Sequence, residues 1–290
     1  MALLWTRQTT DCHYEVRSAG RSVRLYSNSV FHSQWNPNRV FSDAIWDLLG
    51  LAAIPLVDGI ESRQPLRVLV LGVGGGAVIR QLLALFATNG APIDESIGQP
   101  KELVIKGVDL DPQHLAIARR WFGLAKFPNV DLIAADAVDW VASYQGPSFD
   151  LVIDDLFGHG DVEVTRSVAF DKTWARELFP LVANNGALVV NNGDAPEFKA
   201  ACRQLLVPKQ DVSVGGAGVG SVSLMGIQLT HPRYDNRILV AFRNADTWAA
   251  NWRRHWLKCI EEGFKQAGLP KAQCRLARSY IKRAKQVYGD

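Results

Sequence analysis

Four successive apolar runs in this chain end on residues that can bind a ligand or move a proton. Val68, Leu69, Val70 and Leu71 stop at Gly72, Gly74, Gly75 and Gly76, and a helical pattern with Val78, Leu82 and Leu83 apolar starts at once. The run at 103–110 carries Asp109 near its end, the run at 130–134 leads into Ala135-Asp136-Ala137, and the run at 149–153 ends in Asp154-Asp155. A strand, a glycine turn and a helix in that order place bare backbone and the free N–H groups of a helix start beside a ligand. Ligands in open α/β sheets sit beyond the carboxyl ends of the strands, and all four groups fall there.

Each group has a chemistry that suits it. Asp109 suits a carboxylate accepting both hydroxyls of a ribose, and Asp136 suits an acceptor for an adenine amino group while the Ala137 N–H donates to the ring. Capping of the following helix is the competing use of Asp136. The adjacent carboxylates Asp154 and Asp155 attract a cationic sulfonium or a protonated amine, and one of them can accept its proton. Strand pleating sends their side chains to opposite sides, so only one is expected to face the ligand. The spacing Gly72-x-Gly74-x-Gly76 suits an adenosyl cofactor, while Gly72-x-Gly74-x-x-Ala77 also satisfies the dinucleotide fingerprint; the loop alone leaves both open. Asp111 reads as a helix cap, Asp150 as a packing or surface acid, and His159 as a loop residue able to assist. The sequence has no Ser/His/Asp order, HExxH motif, P-loop lysine or metal-ligand spacing.

The elements that must position these groups can be read around them. Residues 12–34 read as short strands, with Tyr14 and Val16, then Val23 and Leu25, alternating with polar neighbours about a Ser18-Ala19-Gly20-Arg21 turn. Residues 40–56 carry Phe41, Ala44, Ile45, Leu48, Leu49 and Ala52 at helical spacing, and a polar excursion occupies 88–100. Helices are expected at 112–121, from 137 through Val141, at 171–182 with a stop at Asn184-Asn185-Gly186, and at 197–206. Further strands are expected at 187–190, 212–214, 221–229 and 238–242. The strand–helix alternation predicts a parallel sheet with helices on both faces, and the last two strands, joined without a crossover, should pair antiparallel. This divides the chain into a small N-terminal β piece with its linking helix (1–62), a Rossmann-like domain (63–243) and a basic helical C-terminal extension (244–290).

Composition narrows the class. The 290 residues are 48% apolar and 21% charged, ordinary for a soluble globular protein. No apolar run approaches the roughly 20 residues of a membrane span, and the N-terminal apolar stretch is too short for a signal peptide. Cys12, Cys202, Cys259 and Cys274 are scattered, which leads us to expect free thiols in a reducing cytoplasm. The formal charge of +3 is too small to argue for nucleic acid by itself, but it is uneven: 244–290 holds ten Lys/Arg against four Asp/Glu. Trp248, Trp252, Trp256 and Ile260 recur there every four residues, and Leu276, Tyr280 and Val287 mark a second helix. This tail reads as helices packed by their tryptophans with a solvated basic face, the alternatives being an RNA, membrane or acidic-partner surface.

Several stretches also resemble, in order, the motifs of one family. VLVLGVGGGAVIRQL is similar to V-L-I-I-G-G-G-D-G-G-x-L-R-E, and GVDLDPQHLAIARRWF to V-E-I-D-x-x-V-I-x-x-A-K-x-x-F. AADAVDWVA is similar to G-D-G-x-x-F-L, FDLVIDDLFG to Y-D-V-I-I-x-D-x-x-D, and LYSNSVF to L-x-L-D-G-V-I-Q. These are motifs of the spermidine synthases and their relatives, within the class I S-adenosylmethionine-dependent methyltransferase superfamily. The resemblance covers about residues 12–243. It implies an α/β fold with a class I methyltransferase-like sheet, mostly parallel with an antiparallel last strand, a small N-terminal β domain and a C-terminal helical tail. It also implies S-adenosylmethionine or decarboxylated S-adenosylmethionine as cofactor, seated by Gly72, Gly74 and Gly76, with Asp109 on the ribose and Asp136 and Ala137 on the adenine.

On the catalytic side, Asp155 falls on the aspartate with which that family deprotonates the attacking amine, and Asp154 stands beside it. The amine side departs from the pattern. The family's second aspartate is Gly158 here, its Asp-Gly is Asn28-Ser29, its glutamine is His32, its Tyr-His-Glu is Phe41-Ser42-Asp43, and its glycine-loop aspartate is Gly75. A diamine needs anionic groups at both ends of its pocket, so the departures point to another acceptor. The expectation is a transferase moving a methyl or aminopropyl group onto a small-molecule acceptor, with polyamine biosynthesis by aminopropyl transfer as the alternative. An NAD-binding oxidoreductase and a non-catalytic nucleoside-binding module are the remaining classes. A homodimer, and a nucleic acid or acidic partner at the tail, stay open.

Overall fold

Four short strands open the chain: β1 (Ala2–Gln8), β2 (His13–Ala19), β3 (Ser22–Ser27) and β4 (Val30–Trp35), paired in that order as an antiparallel sheet. Asn28 and Ser29 between β3 and β4 both take the left-handed conformation, at φ 48° and 66°, as a two-residue hairpin that matches strand twist requires. Strand β1 lies outside the 12–34 region read as strands. Six of its seven residues are exposed, so no inward and outward alternation marks it. The structure describes residues 1–59, 65–86, 103–159, 164–206, 223–246 and 248–288 in a computed structural model. The excursion at 88–100 and the strand expected at 212–214 lie outside the described residues.

The helix expected over 40–56 is much shorter, α1 (Trp46–Leu51) followed by a 3-10 turn at Ile54–Gly59. Asp43 is left-handed at φ 59°, and the buried Asp47 carboxylate accepts the N–H groups of Ser42 (3.1 Å), Asp43 (2.8 Å) and Ala44 (3.3 Å). The backbone before α1 therefore winds around one carboxylate, a local alternative to helix that apolar spacing cannot report.

An eight-stranded sheet forms the body of the protein. Its strands are β5 (Leu66–Leu71), β6 (Leu103–Asp109), β7 (Val130–Ala134), β8 (Phe149–Asp154), β11 (Val182–Asn192), β12 (Leu224–Thr230), β13 (Arg237–Arg243) and β14 (Lys285–Val287). They lie in the order β14-β12-β13-β11-β8-β5-β6-β7, with a separate small hairpin of β9 (Phe157–His159) and β10 (Val164–Arg166). Pairing is parallel from β11 to β7 and antiparallel from β11 to β14, as the late strands led us to expect. The chain runs outward one way from β5 through β6 and β7, and the other way from β8 to β11. The switch point thus lies between β5 and β8, where ligands bind in such sheets.

Helices α2 (Ala77–Leu85), α3 (Pro112–Arg120), α4 (Ala137–Ser143), α5 (Lys172–Leu178) and α6 (Ala195–Leu205) supply the crossovers. Four of them start on an aspartate that accepts a first-turn N–H: Asp111 for α3, Asp136 for α4, Asp171 for α5 and Asp194 for α6. Helix α5 is shorter than the 171–182 expected, because Phe179–Leu181 tightens into a 3-10 turn around Pro180 and Val182 already pairs with Phe149 of β8. Asn185, at φ 65°, lies where the β11 register shifts, so the polar Asn184-Asn185-Gly186 is an irregularity inside a strand and not a helix end.

Pleating sorts the core. Val68, Val70, Leu151, Ile153 and Val189 face α1, α2 and two C-terminal helices, α7 (Trp252–Gln266) and α8 (Lys271–Arg283). Leu69, Leu71, Val152, Leu188 and Val190 face α4, α5 and α6. The N-terminal sheet joins this body through a smaller cluster in which Tyr14, Val16 and Leu25 pack on Ile117 and Phe122. The basic tail contributes fully to the core: Trp256 is completely buried with its indole N–H donating to the Leu51 carbonyl (3.2 Å), and β14 extends the sheet beside β12. Truncating Trp256 to alanine leaves a large void at the junction of α1 and α7. Trp256→Ala is expected to cost about 3–5 kcal/mol, read as a lowered urea midpoint, with Trp256→Phe recovering part of the loss.

Candidate functional site

A cavity of about 680 Å³ opens over the carboxyl ends of β5, β6, β7, β8 and β11. The glycine loop and the strand-end residues Asp109, Asp136 and Asp155 line it from below. The N-terminal hairpin adds Asn28, Val30 and His32, and the β12–β13 turn adds Tyr234 and Asn236. Of the residues singled out from sequence, Gly72, Gly74, Asp109, Asp136, Ala137 and Asp155 reach this cavity, while Gly76 and Asp154 do not line it.

The loop is held by close contacts on every side. Gly72 is left-handed at φ 85°, and a Cβ there would collide with the Asp155 carbonyl oxygen; the Asp155 N–H in turn donates to the Leu71 carbonyl at 2.9 Å. Gly75 donates to the Ser33 hydroxyl (2.9 Å), and an added Cβ would lie 2.6 Å from the Phe122 ring, so the position where the family resemblance has an aspartate has no room for a side chain here. Gly76 caps α2 and faces Leu124, whose Cδ1 lies 2.6 Å from where a Cβ would be, which makes it a packing position behind the loop.

Asp109 is buried with both oxygens engaged. Oδ2 accepts the N–H groups of Val73 (2.9 Å) and Gly74 (2.8 Å), and Oδ1 accepts that of Asp111 (2.9 Å). Burial by itself would raise its pKa, but the His114 ring beside it and these N–H groups outweigh burial and hold it below the usual carboxylate range. His114, buried on the first turn of α3, lies 3.7 Å from Asp109 Oδ1 and pairs with the Ser27 hydroxyl at 2.7 Å. Burial pulls the imidazole pKa down, and the carboxylates of Asp109 and Asp111 more than compensate, leaving it raised. Asp136 does cap its helix, accepting from Val138 (2.7 Å) through Oδ1, and remains exposed at the cavity mouth beside Ala137.

The two carboxylates after β8 diverge as pleating requires. Asp154 follows Val152 to the α5 side. There it is fully buried against Arg166 (2.7 Å) and the Trp174 indole N–H (3.0 Å). Asp155 follows Leu151 and Ile153 to the other side, lines the cavity, and accepts from Asn191 Nδ2 at 2.7 Å. Its pKa is pushed up to about 7. Burial is the main cause and the negative charges of Asp154 and Asp109 add to it, against the Asn191 hydrogen bond and the Arg166 charge. The side chain of His159 lies outside the described residues.

Sequence reading missed Asn191, Asn236, His114 and Ser33. Asn191 ends the apolar run Ala187 to Val190 and shares the parity of Val189, a signal of the same kind as Asp155 that went unread. Its side-chain oxygen accepts from Asn236 Nδ2 (3.0 Å), which orients the amide so that its NH₂ points to Asp155. Asp43, the acid retained at the family's Tyr-His-Glu position, turns away from the cavity: it binds His231 (3.0 Å), Tyr280 (2.9 Å) and Arg233 (2.7 Å), so it anchors the turn that carries Tyr234 and Asn236. Among the described residues no group of three or more His, Cys, Asp or Glu side chains converges as a metal site would need.

No family model matches the chain. Among curated proteins it is similar to the eEF1A lysine and N-terminal methyltransferase of Homo sapiens, 31% identical over 97 residues, which is 32% of this chain and only 12% of that protein. Among solved structures it is similar to a probable spermidine synthase from Corynebacterium glutamicum, with a TM-score of 0.64 at 17% identity over 97% of this chain and 95% of the other. It is also similar to human Methyltransferase-like protein 13 in complex with SAH, with a TM-score of 0.51 at 17% identity over 78% of this chain and 90% of that one. At these identities the likeness is one of fold, and the fold is the class I methyltransferase-like sheet expected from the motifs.

The Asn191 amide is the donor that favours the ionised form of Asp155. A hydrogen bond to a charged group contributes about 1.5–3 kcal/mol, equivalent to about one to two pH units. Asn191→Ala is therefore expected to raise the Asp155 titration from about 7 by roughly that amount, followed by carbon-13 NMR of the carboxyl. An unmoved titration would remove Asn191 from the site.

Proposed function

We propose that this chain is an S-adenosylmethionine-dependent transferase that moves the methyl group onto an acceptor bound beside Asp155. The observation that carries this reading is the convergence of the glycine loop, Asp109, Asp136-Ala137 and Asp155 from four consecutive strand ends on one cavity. The pieces fit the group: Gly72 and Gly74 leave bare backbone at the cavity, and Asp109 is held ionised at the end of β6 with its backbone donors already in place. Gly72 and Gly74 would seat the cofactor, Asp109 would accept from the ribose hydroxyls, and Asp136 and Ala137 would meet the adenine edge. When bound, the cofactor supplies a carbon already activated by a cationic sulfur. What the chain must add is alignment of the acceptor and removal of its proton; Asp155, which lines the cavity with its pKa pushed up to about 7, would take that proton at its carboxylate.

Methyl transfer is favoured by the name of the curated relative, which is that of a methyltransferase. Aminopropyl transfer, the second reading, is favoured by the fold likeness to the probable spermidine synthase along 97% of this chain. Against it, Asn28, His32 and Gly158 line the cavity where that family's amine site is charged or amide-bearing, and Asp43 is committed to His231, Arg233 and Tyr280. Isothermal titration with S-adenosylmethionine, decarboxylated S-adenosylmethionine and NAD separates the readings. Tighter binding of the decarboxylated form would move the assignment to aminopropyl transfer, and binding of NAD alone would replace both.

Two substitutions test the roles. Asp109→Ala removes a charged acceptor from two ribose hydroxyls and should weaken the adenosyl ligand by about ten- to a hundredfold, equivalent to roughly 1.5–3 kcal/mol; a folded variant that binds methylthioadenosine as well as the parent would overturn the ribose assignment. Asp155→Asn should lower turnover by about 10²–10⁴-fold while ligand affinity stays within severalfold. The parent's rate should rise with pH as the Asp155 carboxyl ionises around 7, since only the ionised form accepts a proton, and this limb should vanish in the variant.

A further inference from the structure

A second concavity, about 840 Å³, lies between α7 and α8 and shares no lining residue with the cavity described above. Its floor is apolar: Phe264 is only 2% exposed, and Leu269 and Cys274 are half-buried. Its rim is cationic. Lys265 on α7 and Lys271, Arg275 and Lys282 on α8 are all exposed. Glu261 is the acid of this lining, and it is already paired with Arg278. The rim therefore presents four cations that no acid of the groove neutralises.

The shape of the groove selects among anionic partners. A bilayer surface is flat and would meet the cationic rim without reaching a floor recessed between two helices. A single-stranded nucleic acid binds through aromatic faces on which bases stack, and Phe264, the aromatic ring of this groove, is nearly fully covered. A peptide that alternates carboxylates with aliphatic side chains satisfies both parts at once, as helix-in-groove recognition does. We propose that the α7–α8 groove is a docking site for an acidic amphipathic peptide segment of a partner protein. Its aliphatic side chains rest on Leu269, Cys274 and the alkyl stems of the rim lysines above the covered Phe264, and its carboxylates face Lys265, Lys271, Arg275 and Lys282. This site is independent of the adenosyl reading.

The test uses the full chain and a fluorescein-labelled peptide built of glutamate and leucine with leucines at helical spacing, followed by fluorescence anisotropy. Binding is expected to exceed that of an all-glutamate peptide of equal charge by roughly fivefold or more, because the floor buries leucine. Lys271→Glu combined with Arg275→Glu should weaken it by about tenfold or more, with circular dichroism and adenosyl-ligand affinity unchanged. Lys265→Glu combined with Lys282→Glu repeats the test from the other rim should the first pair fail to fold. Bound peptide should also slow alkylation of Cys274 and leave that of Cys12 unaltered, which places it in this groove and not in the adenosyl cavity. Equal binding of the all-glutamate peptide, or affinity for an RNA oligomer or phosphatidylserine vesicles matching that for the peptide, would overturn the proposal. So would charge reversals without effect, or unprotected Cys274.

Discussion

The cavity depends first on how the loop after β5 is held. That loop turns within a few residues under a sheet end, so its N–H groups are buried and must find acceptors. Asp109 supplies one for Val73 and Gly74, and Ser33 supplies another for Gly75. Each bond to the ionised carboxylate is worth about 1.5–3 kcal/mol net, and an orphaned buried N–H costs about as much. The same carboxylate closes the start of α3 through the Asp111 N–H, and Asp111 in turn accepts the Tyr14 hydroxyl from the N-terminal sheet at 2.7 Å. One buried charge thus ties β5, β6, α3 and, at one remove, β2 into one wall of the cavity.

The neighbouring pair, Asp154 and Asp155, shows how one local environment makes two different acids. Two carboxylates this close cannot both ionise cheaply without a cation. Arg166 is that cation, and it is committed: it pairs with Asp154, donates to the Asn191 carbonyl at 2.5 Å, and is almost inaccessible. Burial first, and then the field of Asp154 behind it, lift the Asp155 pKa to about 7, and the neutral Asn191 amide, its close donor, offsets only part of that rise. Arg166 sits on β10, so the ion pair with Asp154 ties β10 to the end of β8 on the α5 side of the sheet.

Period-two and strand-end reasoning made the wall of this cavity legible from sequence. That Asp154 and Asp155 face opposite sides followed from pleating alone, and the order of glycines and acids located the carboxyl ends of the strands on which the cavity opens. What the pattern could not show were contacts closed by residues far apart in the chain. The helix expected over 40–56 fails because Asp47, which the apolar spacing of that stretch leaves out of account, gathers three backbone N–H groups and the Gln81 amide (2.7 Å). Asn184-Asn185-Gly186 reads as a helix stop but is a strand irregularity, because pairing with β8 overrides local turn chemistry. Asn191 stands at a strand end as Asp155 does, but its pairing with Asn236, which carries no motif, arises only when β11 and β13 meet.

The basic tail is the largest such long-range contribution. Tyr280 on α8 donates to Asp43 (2.9 Å) and reaches Asp47 (3.3 Å), while Gln273 accepts the Phe41 N–H at 2.6 Å. These bonds grip the same stretch of backbone that, through Asp43, holds His231 and Arg233. His231 and Arg233 bracket the start of the turn that brings Tyr234 and Asn236 over the cavity, and Asn236 orients Asn191 on Asp155. The path from α8 to the Asp155 carboxylate therefore runs through two polar contacts, Tyr280 to Asp43 and Asp43 to His231, then along the backbone of the turn, and on through two more, Asn236 to Asn191 and Asn191 to Asp155. Its inner links are the covered ones: the His231 side chain is fully buried and Asn191 nearly so, and a polar group that let go there would be left unsatisfied in a low dielectric. The C-terminal helices accordingly do two things at once. One face completes the core beneath the sheet and fixes the roof of the cavity, and the other leaves a cation-rimmed groove facing outward.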